Sequence, residues 1–372
     1  MSELKVNTIT DASGGNTASI NGATPTTDNT MGRNRIINGD MRIDQRNAGA
    51  AVTDAIAFPV DRMRVTHTTD GAYSAQQDSS APDGFVNSLK FTTTTADASL
   101  TTTQNLSFLQ RIEGYNFADL NWGTANAKTV TLSFWVRSSL TGTFGGSLRN
   151  SAGDRSYPFT YTISSADTWE QKSVTIAGDT SGTWLTTNGI GIQVTFGLGS
   201  GPDRTGTAGS WASSNYVSAT GAVSVIGTLN ATWYITGVQL EAGSVATSFE
   251  RRSYGQELAL CQRYYYKNFP ALSNACIGWG FNGSTTLAVV NGSFPVQMRV
   301  RPTALEQSGT ASDYSVAHGA TSTTCSSVPV FDAPTTQNIY AVIFTVASGL
   351  TVGQGSQGRV GAAGFLAWSA EL

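Results

Sequence analysis

Apolar residues recur at every second position in several short stretches of the chain. Val130, Leu132, Phe134 and Val136 alternate with Thr129, Thr131, Ser133 and Trp135, the pattern of a half-buried strand. Phe159, Tyr161 and Ile163 repeat it, as do Val174 and Ile176. Ile190, Ile192, Val194, Phe196 and Leu198 give the cleanest run. Trp233, Ile235, Val238 and Leu240 follow, with Gly237 breaking the alternation as a bulge would. Polar, glycine-rich stretches separate these runs and no helical repeat intervenes, which argues against a parallel α/β sheet. The pattern predicts an antiparallel jelly-roll sandwich over residues 33–250.

Beyond it, Ser253 to Lys267 predicts a helix. Ser253 caps it with Gln256 three residues on, and Pro270 stops it. Tyr254, Leu258, Cys261 and Tyr265 fall on one face, which either packs on the chain's own sandwich or forms a neck where symmetry-related helices meet. Residues 251–270 are therefore read as a short helical neck. In residues 271–372, Leu287 and Val289, then Gly292, Phe294 and Val296, and the alternating Tyr340, Val342, Phe344 and Val346 predict a second, small β-sandwich. Its last strand, near Phe365 to Ser369, is tied into a sheet. Residues 1–32 have too few apolar positions for a core. Leu4, Val6, Ile9 and Ile20 recur among turn signals, which predicts an extended arm that orders on a partner, against the alternative of a disordered terminus. Fully extended, it would reach about 100 Å.

Composition narrows the function. Of 372 residues only 13% are charged, and the net charge is −3. Thr, Ser, Asn and Gly cover the surface instead, which favours strands and turns. With no basic block, nucleic-acid binding is not expected. No apolar run reaches the roughly 18 residues of a membrane helix, and the first residues lack the apolar core of a signal peptide. The three cysteines imply no disulfide framework; Cys261, Cys276 and Cys325 are expected to be small buried hydrophobes.

Several segments resemble parts of bacteriophage virion proteins. Asn34-Arg35-Ile36-Ile37-Asn38-Gly39-Asp40-Met41 is similar to the opening strand of their carbohydrate-binding-type jelly rolls, and residues 129–136 to a central strand. Most specific is the run from Tyr234 through Gln239-Leu240-Glu241-Ala242-Gly243 to Phe249-Glu250, continuing into Arg251-Arg252-Ser253-Tyr254 and Glu257 to Tyr265. It resembles the sandwich-to-neck junction of phage tail-fibre-like proteins, and Leu4 to Ile9 resembles the start of phage fibre and appendage proteins. The resemblance covers residues 1–267. It implies a virion surface component on tail or head, a homotrimer joined at the neck through Tyr254, Leu258, Cys261 and Tyr265. Its arm would bind other virion structural proteins through Leu4, Val6, Ile9 and Ile20.

Candidate chemistry is sparse. Two histidines, His67 and His318, and no nucleophile elbow, zinc motif or P-loop ending leave no support for catalysis or a cofactor. Asp40 and Asp44 would share one strand face, but Arg42 shares it too. Asp40 and Glu241 are possible calcium ligands, although a sandwich end without metal is the preferred reading. Stacking on sugar rings needs aromatic faces. Trp122, Trp184, Trp211 and Tyr216 stand in loop-like surroundings, with Trp279 and Tyr314 comparable in the distal region, while Trp368 reads as core. Large aromatics also plug sandwich ends. The chain is thus read as a non-enzymatic fibre-like appendage displaying β domains toward a host surface glycan. A passive decoration protein and a glycan-degrading enzyme are the alternatives.

Overall fold

The computed structural model describes residues 32–54, 56–268 and 274–372. The arm residues Leu4, Val6, Ile9 and Ile20 lie outside them. Two units are separable, Met1–Arg252 and Ser253–Leu372.

The first unit begins with β1 (Ile56–Val60), β2 (Met63–His67), β3 (Ala72–Asp78), β4 (Ser88–Thr95) and β5 (Asn105–Glu113). Then come β6 (Val130–Ser138), β7 (Gly142–Arg149), β8 (Ser156–Ile163), β9 (Glu170–Ile176) and β10 (Ile190–Ser200). A short parallel pair, β11 (Thr205–Gly206) and β12 (Ser218–Ala219), precedes β13 (Thr232–Ala242). Strands in the order β1-β2-β5-β10-β7-β8 form one antiparallel sheet, and β3-β4-β13-β6-β9 form the other. The predicted alternation holds: Leu132, Phe134, Ile192, Val194, Phe196 and Leu240 are all buried. Rings from the two sheets meet in the core, Phe108 against Trp233 at 5.8 Å and Phe134 against Phe196 at 5.0 Å. Truncating any one of them would cost about 3–5 kcal/mol. Gly237 sits at φ +63°, and the β13–β6 register shifts between Thr236 and Gln239, which is the expected bulge.

The segment Asn34 to Met41, expected by resemblance as an opening strand, is not one. Asn38 and Met41 take left-handed φ values of 59° and 58°. The Asn38 side chain stabilises the turn, donating to the Ile43 and Asp61 carbonyls and accepting from the Ile43 amide. The segment instead runs beside the β13 bulge, where the Val238 amide donates to the Gly39 carbonyl at 2.9 Å. Polar contacts then clasp the two ends of the unit. The Glu250 carboxylate accepts from the Gly32 and Asn34 amides, and the Arg252 guanidinium donates to the Ile36 carbonyl. Fully buried Glu241 accepts from Gln239 and from both the amide and hydroxyl of Thr247. The most specific run of the sequence resemblance is this clasp.

In the second unit, α1 (Tyr254–Gln262) is shorter than the predicted helix. Ser253 caps it as expected, accepting from the Gln256 amide. Tyr265 is not helical. It opens β14 (Tyr265–Asn268), which pairs with the terminal strand, so strand pairing overrides the helical spacing. After β15 (Ala275–Asn282) and β16 (Leu287–Ser293) come β17 (Glu306–Gln307), β18 (Tyr314–His318) and β19 (Thr321–Phe331). The unit ends with β20 (Ile339–Val346), β21 (Gly355–Val360) and β22 (Leu366–Ser369). The distal lobe is β-structured as predicted, but as a closed barrel, β15-β16-β20-β19-β18-β21, where a two-layer sandwich was expected. Both architectures share the period-two pattern. Closure depends on β15 finding β21, a distant pairing that alternation does not encode. A small sheet, β14-β22-β17, carries Trp368, which is core as read. Cys276 is exposed, against expectation, while Cys261 and Cys325 are buried.

Candidate functional site

Across the outer face of the six-stranded sheet runs a cleft of about 360 Å³. Its floor follows from strand alternation. On β5, Leu106, Phe108 and Ile112 point into the core, so Leu109 and Arg111 line the outside. Gln193 projects outward from β10, and Arg149 from the end of β7. One wall is the loop between β10 and β13, which lies directly on the sheet. It can do so because Gly145 and Gly197 stand side by side in register on β7 and β10. A Cβ at either would come within 2.3 or 2.7 Å of the Ser218 side chain. That loop brings Arg204 and Asn215 to the cleft, and His67 lines the other side.

The polar groups interlock. Arg111 Nε donates to Gln193 Oε1 at 3.3 Å. Gln193 Nε2 donates to the Asn150 carbonyl. Arg149 donates to Asn215 Oδ1 at 2.7 Å and Thr195 Oγ1 at 3.3 Å, and Arg204 to the Thr103 carbonyl. Arg149 is only 8% exposed. Burial, with the like charges of Arg111 and Arg204 adding to it, lowers its pKa to about 10, so it stays cationic at neutral pH. Among the described residues no Asp or Glu lines the cleft. It can therefore donate hydrogen bonds from fixed amides and guanidiniums, as a binding site for a polar ligand needs.

The aromatic candidates lie elsewhere. Trp122 and Trp184 are in loops, as read, but buried, and this corrects their assignment as glycan platforms. They stack edge-on to each other at 4.8 Å and to half-buried Trp211 at 5.2 and 5.6 Å. All three indole N–H groups donate to backbone carbonyls, of Lys128, Ser181 and Ala177. They plug one end of the sandwich and hold the loop that walls the cleft. A bidentate Arg155–Asp179 pair supports the same region, with the guanidinium 6.0 Å from the Trp211 ring. Half-buried Tyr216 packs on Gly206, next to Asn215 in that loop. Tyr314 is also corrected: it fills the barrel, its hydroxyl donating to the Phe365 carbonyl. Trp279 is 66% exposed on the barrel, beside a cleft of about 220 Å³ that includes Gln357 and Arg359.

Of the neck residues, Tyr254 is exposed and Leu258 half-buried, but Cys261 and Tyr265 are buried within the unit. These last two therefore present no surface to a symmetry axis, which corrects their part in the seam. Asp44 caps a turn by accepting from the Asn47 and Gly49 amides, and Asp40 pairs with Arg42 at 2.9 Å. The two do not share a strand face, because the segment is not a strand. Among the described residues no three His, Cys, Asp or Glu gather as a metal site. His318 ends β18 and bonds Thr323.

Sequence reasoning missed Arg111, Arg149, Arg204, Gln193 and Asn215. The available signal was arginine at outward strand positions of a charge-poor chain.

Neither a protein-family profile nor a curated protein matches the sequence. The structure is similar, at low identity, to carbohydrate-binding-module sandwiches and to a phage tailspike domain. The family 11 carbohydrate-binding module of a Clostridium thermocellum cellulosomal cellulase is 12% identical, with 53% of this chain and 97% of that one covered and a TM-score of 0.27. TmCBM61, in complex with β-1,4-galactotriose, is 10% identical over 57% of this chain and 99% of that one, with a TM-score of 0.28. The enzymatically active domain of bacteriophage CBA120 tailspike protein 4 is 13% identical over 56% of this chain, with a TM-score of 0.29; only 21% of that chain is covered. Likeness at this level concerns the sandwich alone and not its ligand.

Proposed function

We propose that the chain is a fibre-like appendage of a bacteriophage virion, on tail or head, that holds a host surface glycan in the cleft of its sandwich. The observation that carries the glycan reading is the cleft itself, an open groove with amide and guanidinium donors fixed by hydrogen bonds on a rigid sheet. Sugars are bound by such convergent donors beside apolar surface, here exposed Ile56. The cleft is read as binding and not catalytic, since hydrolysis of a glycosidic bond needs two carboxylates across it. Exposed Trp279 offers the barrel a second, weaker stacking contact.

The virion part rests on the junction resemblance, whose residues Glu250 and Arg252 clasp the segment that follows the arm. The homotrimer is supported by apolar surface. Phe281, Val289, Ile343 and Val330 neighbour one another across four barrel strands on outward positions, and exposed Tyr254 lies on the helix. Association of copies would cover such a row, and three copies would multiply one weak sugar contact. The arm, residues 1–32, is the proposed attachment to other virion proteins.

The test is immunogold labelling of phage particles with antibody to the chain, paired with a glycan array probed with the full chain. Labelled surface projections and glycan-dependent retention are expected. Unlabelled particles would overturn the virion role, and an array blank for every glycan would overturn the recognition role.

A further inference from the structure

Among the described residues that line the cleft, no carboxylate stands beside the Arg149 guanidinium. Several arginines of the unit with little exposure meet carboxylates: Arg155 with Asp179 at 2.7 Å, Arg42 with Asp40 at 2.9 Å, and Arg35 with Asp119 at 2.6 Å. Arg149 is more deeply buried than these, yet its partners are a neutral amide and a hydroxyl, and its Nε, like that of Arg35, is buried with no hydrogen-bond partner. Taking a cation out of water without a counter-charge costs several kcal/mol. Two more arginines, Arg111 and Arg204, line the same cleft and add like-charge repulsion, in a chain whose net charge is −3. A fold that keeps the Arg149 guanidinium buried on neutral partners in an open cleft has its counter-charge supplied from outside.

Granting that this cleft is the glycan site, we propose that its glycan is anionic, bearing a carboxylate, sulfate or phosphate that Arg149 receives, with Arg111 and Arg204 beside it. Guanidinium suits these groups because its planar fork donates two parallel hydrogen bonds to paired oxygens. Gln193 and Asn215 are placed to read neighbouring hydroxyls. The cleft volume suits a few sugar units. A nucleic acid would need a longer basic track to match its regularly spaced phosphates.

The test measures binding of the full chain to polygalacturonate, dextran sulfate, a phosphorylated mannan and neutral dextran, by affinity electrophoresis and calorimetry at low and high salt. At least one anionic polymer binds, neutral dextran does not, and rising salt weakens the complex. Which polymer binds identifies the anion. Arg149→Met lowers affinity by about 30-fold or more, as loss of a buried charged contact does, while leaving the melting temperature equal or higher because an uncompensated charge is gone. Arg204→Gln, a loop change, lowers affinity by a smaller factor and guards against misfolding of the first variant. Equal binding of neutral and anionic polymers, unaffected by Arg149→Met, overturns the inference and leaves the glycan reading intact. Binding of free sulfate or phosphate as tightly as the polymers also overturns it, since the site would then be a simple anion site. No binding of any polymer overturns both readings.

Discussion

Glu241→Ala tests how the sandwich is closed. The carboxylate is 1% exposed and accepts three hydrogen bonds, from Gln239 Nε2 at 2.8 Å, the Thr247 amide at 2.8 Å and the Thr247 hydroxyl at 2.7 Å. A hydrogen bond to a charged acceptor contributes about 1.5–3 kcal/mol, and each buried donor left unpaired costs about 1–3 kcal/mol. The three share two donor residues, so their contributions do not add in full, and a loss of about 3–5 kcal/mol is expected. In a unit of this size each kcal/mol moves the midpoint by about 2–4 °C, so the sandwich transition falls by roughly 10 °C. Differential scanning calorimetry of the full chain reads this directly, with the barrel transition as an internal reference. Glu241→Gln keeps one acceptor oxygen and turns an amide toward the Thr247 hydroxyl, which can accept; its loss is about 1–2 kcal/mol. A Glu241→Ala midpoint within about 2 °C of the unmodified protein would refute the claim that this clasp holds the end of β13 in place.

Trp184→Ala removes a buried ring from the sandwich plug and is expected to cost about 3–5 kcal/mol by urea unfolding; Trp279→Ala, on the exposed barrel face, stays within about 0.5 kcal/mol in the same assay. Gly145→Val pushes a side chain into Ser218 and the Ala219 backbone, so the loop wall lifts: limited proteolysis within 205–222 accelerates, and unchanged cleavage would show that the loop is held elsewhere. Burial raises the Cys325 thiol to about 12, so its thiolate is scarce at pH 8; maleimide should label exposed Cys276 first, and equal labelling of the two would contradict their placement.

Much of the fold was legible because it rests on local alternation. The inward phase of β10 and β20, the Gly237 bulge and the Ser253 cap follow from side-chain period, backbone freedom and one hydroxyl, all local facts. What the sequence did not disclose depends on distant partners. Asn34 to Met41 resembles an opening strand, but Asn38 turns the segment with its own side chain. Tyr265 sits at helical spacing yet pairs with Ser369 at the far end of the chain. Trp122 and Trp184 occupy loops, where exposure was the natural inference, and only the fold stacks them into a plug. Arg149 drew no notice because its meaning comes from what it lacks. That no carboxylate stands beside it is visible only once β7, β10 and the loop carrying Asn215 are assembled.

The central claim is that the outer face of the six-stranded sheet is where a host glycan binds. Hydrogen–deuterium exchange of the full chain, with and without the polymer that it retains most strongly, tests it most directly. Slowed exchange in 105–113, 147–153, 193–197 and 204–217 is the predicted result. Protection confined to 275–282 and 355–360, around Trp279, would contradict it.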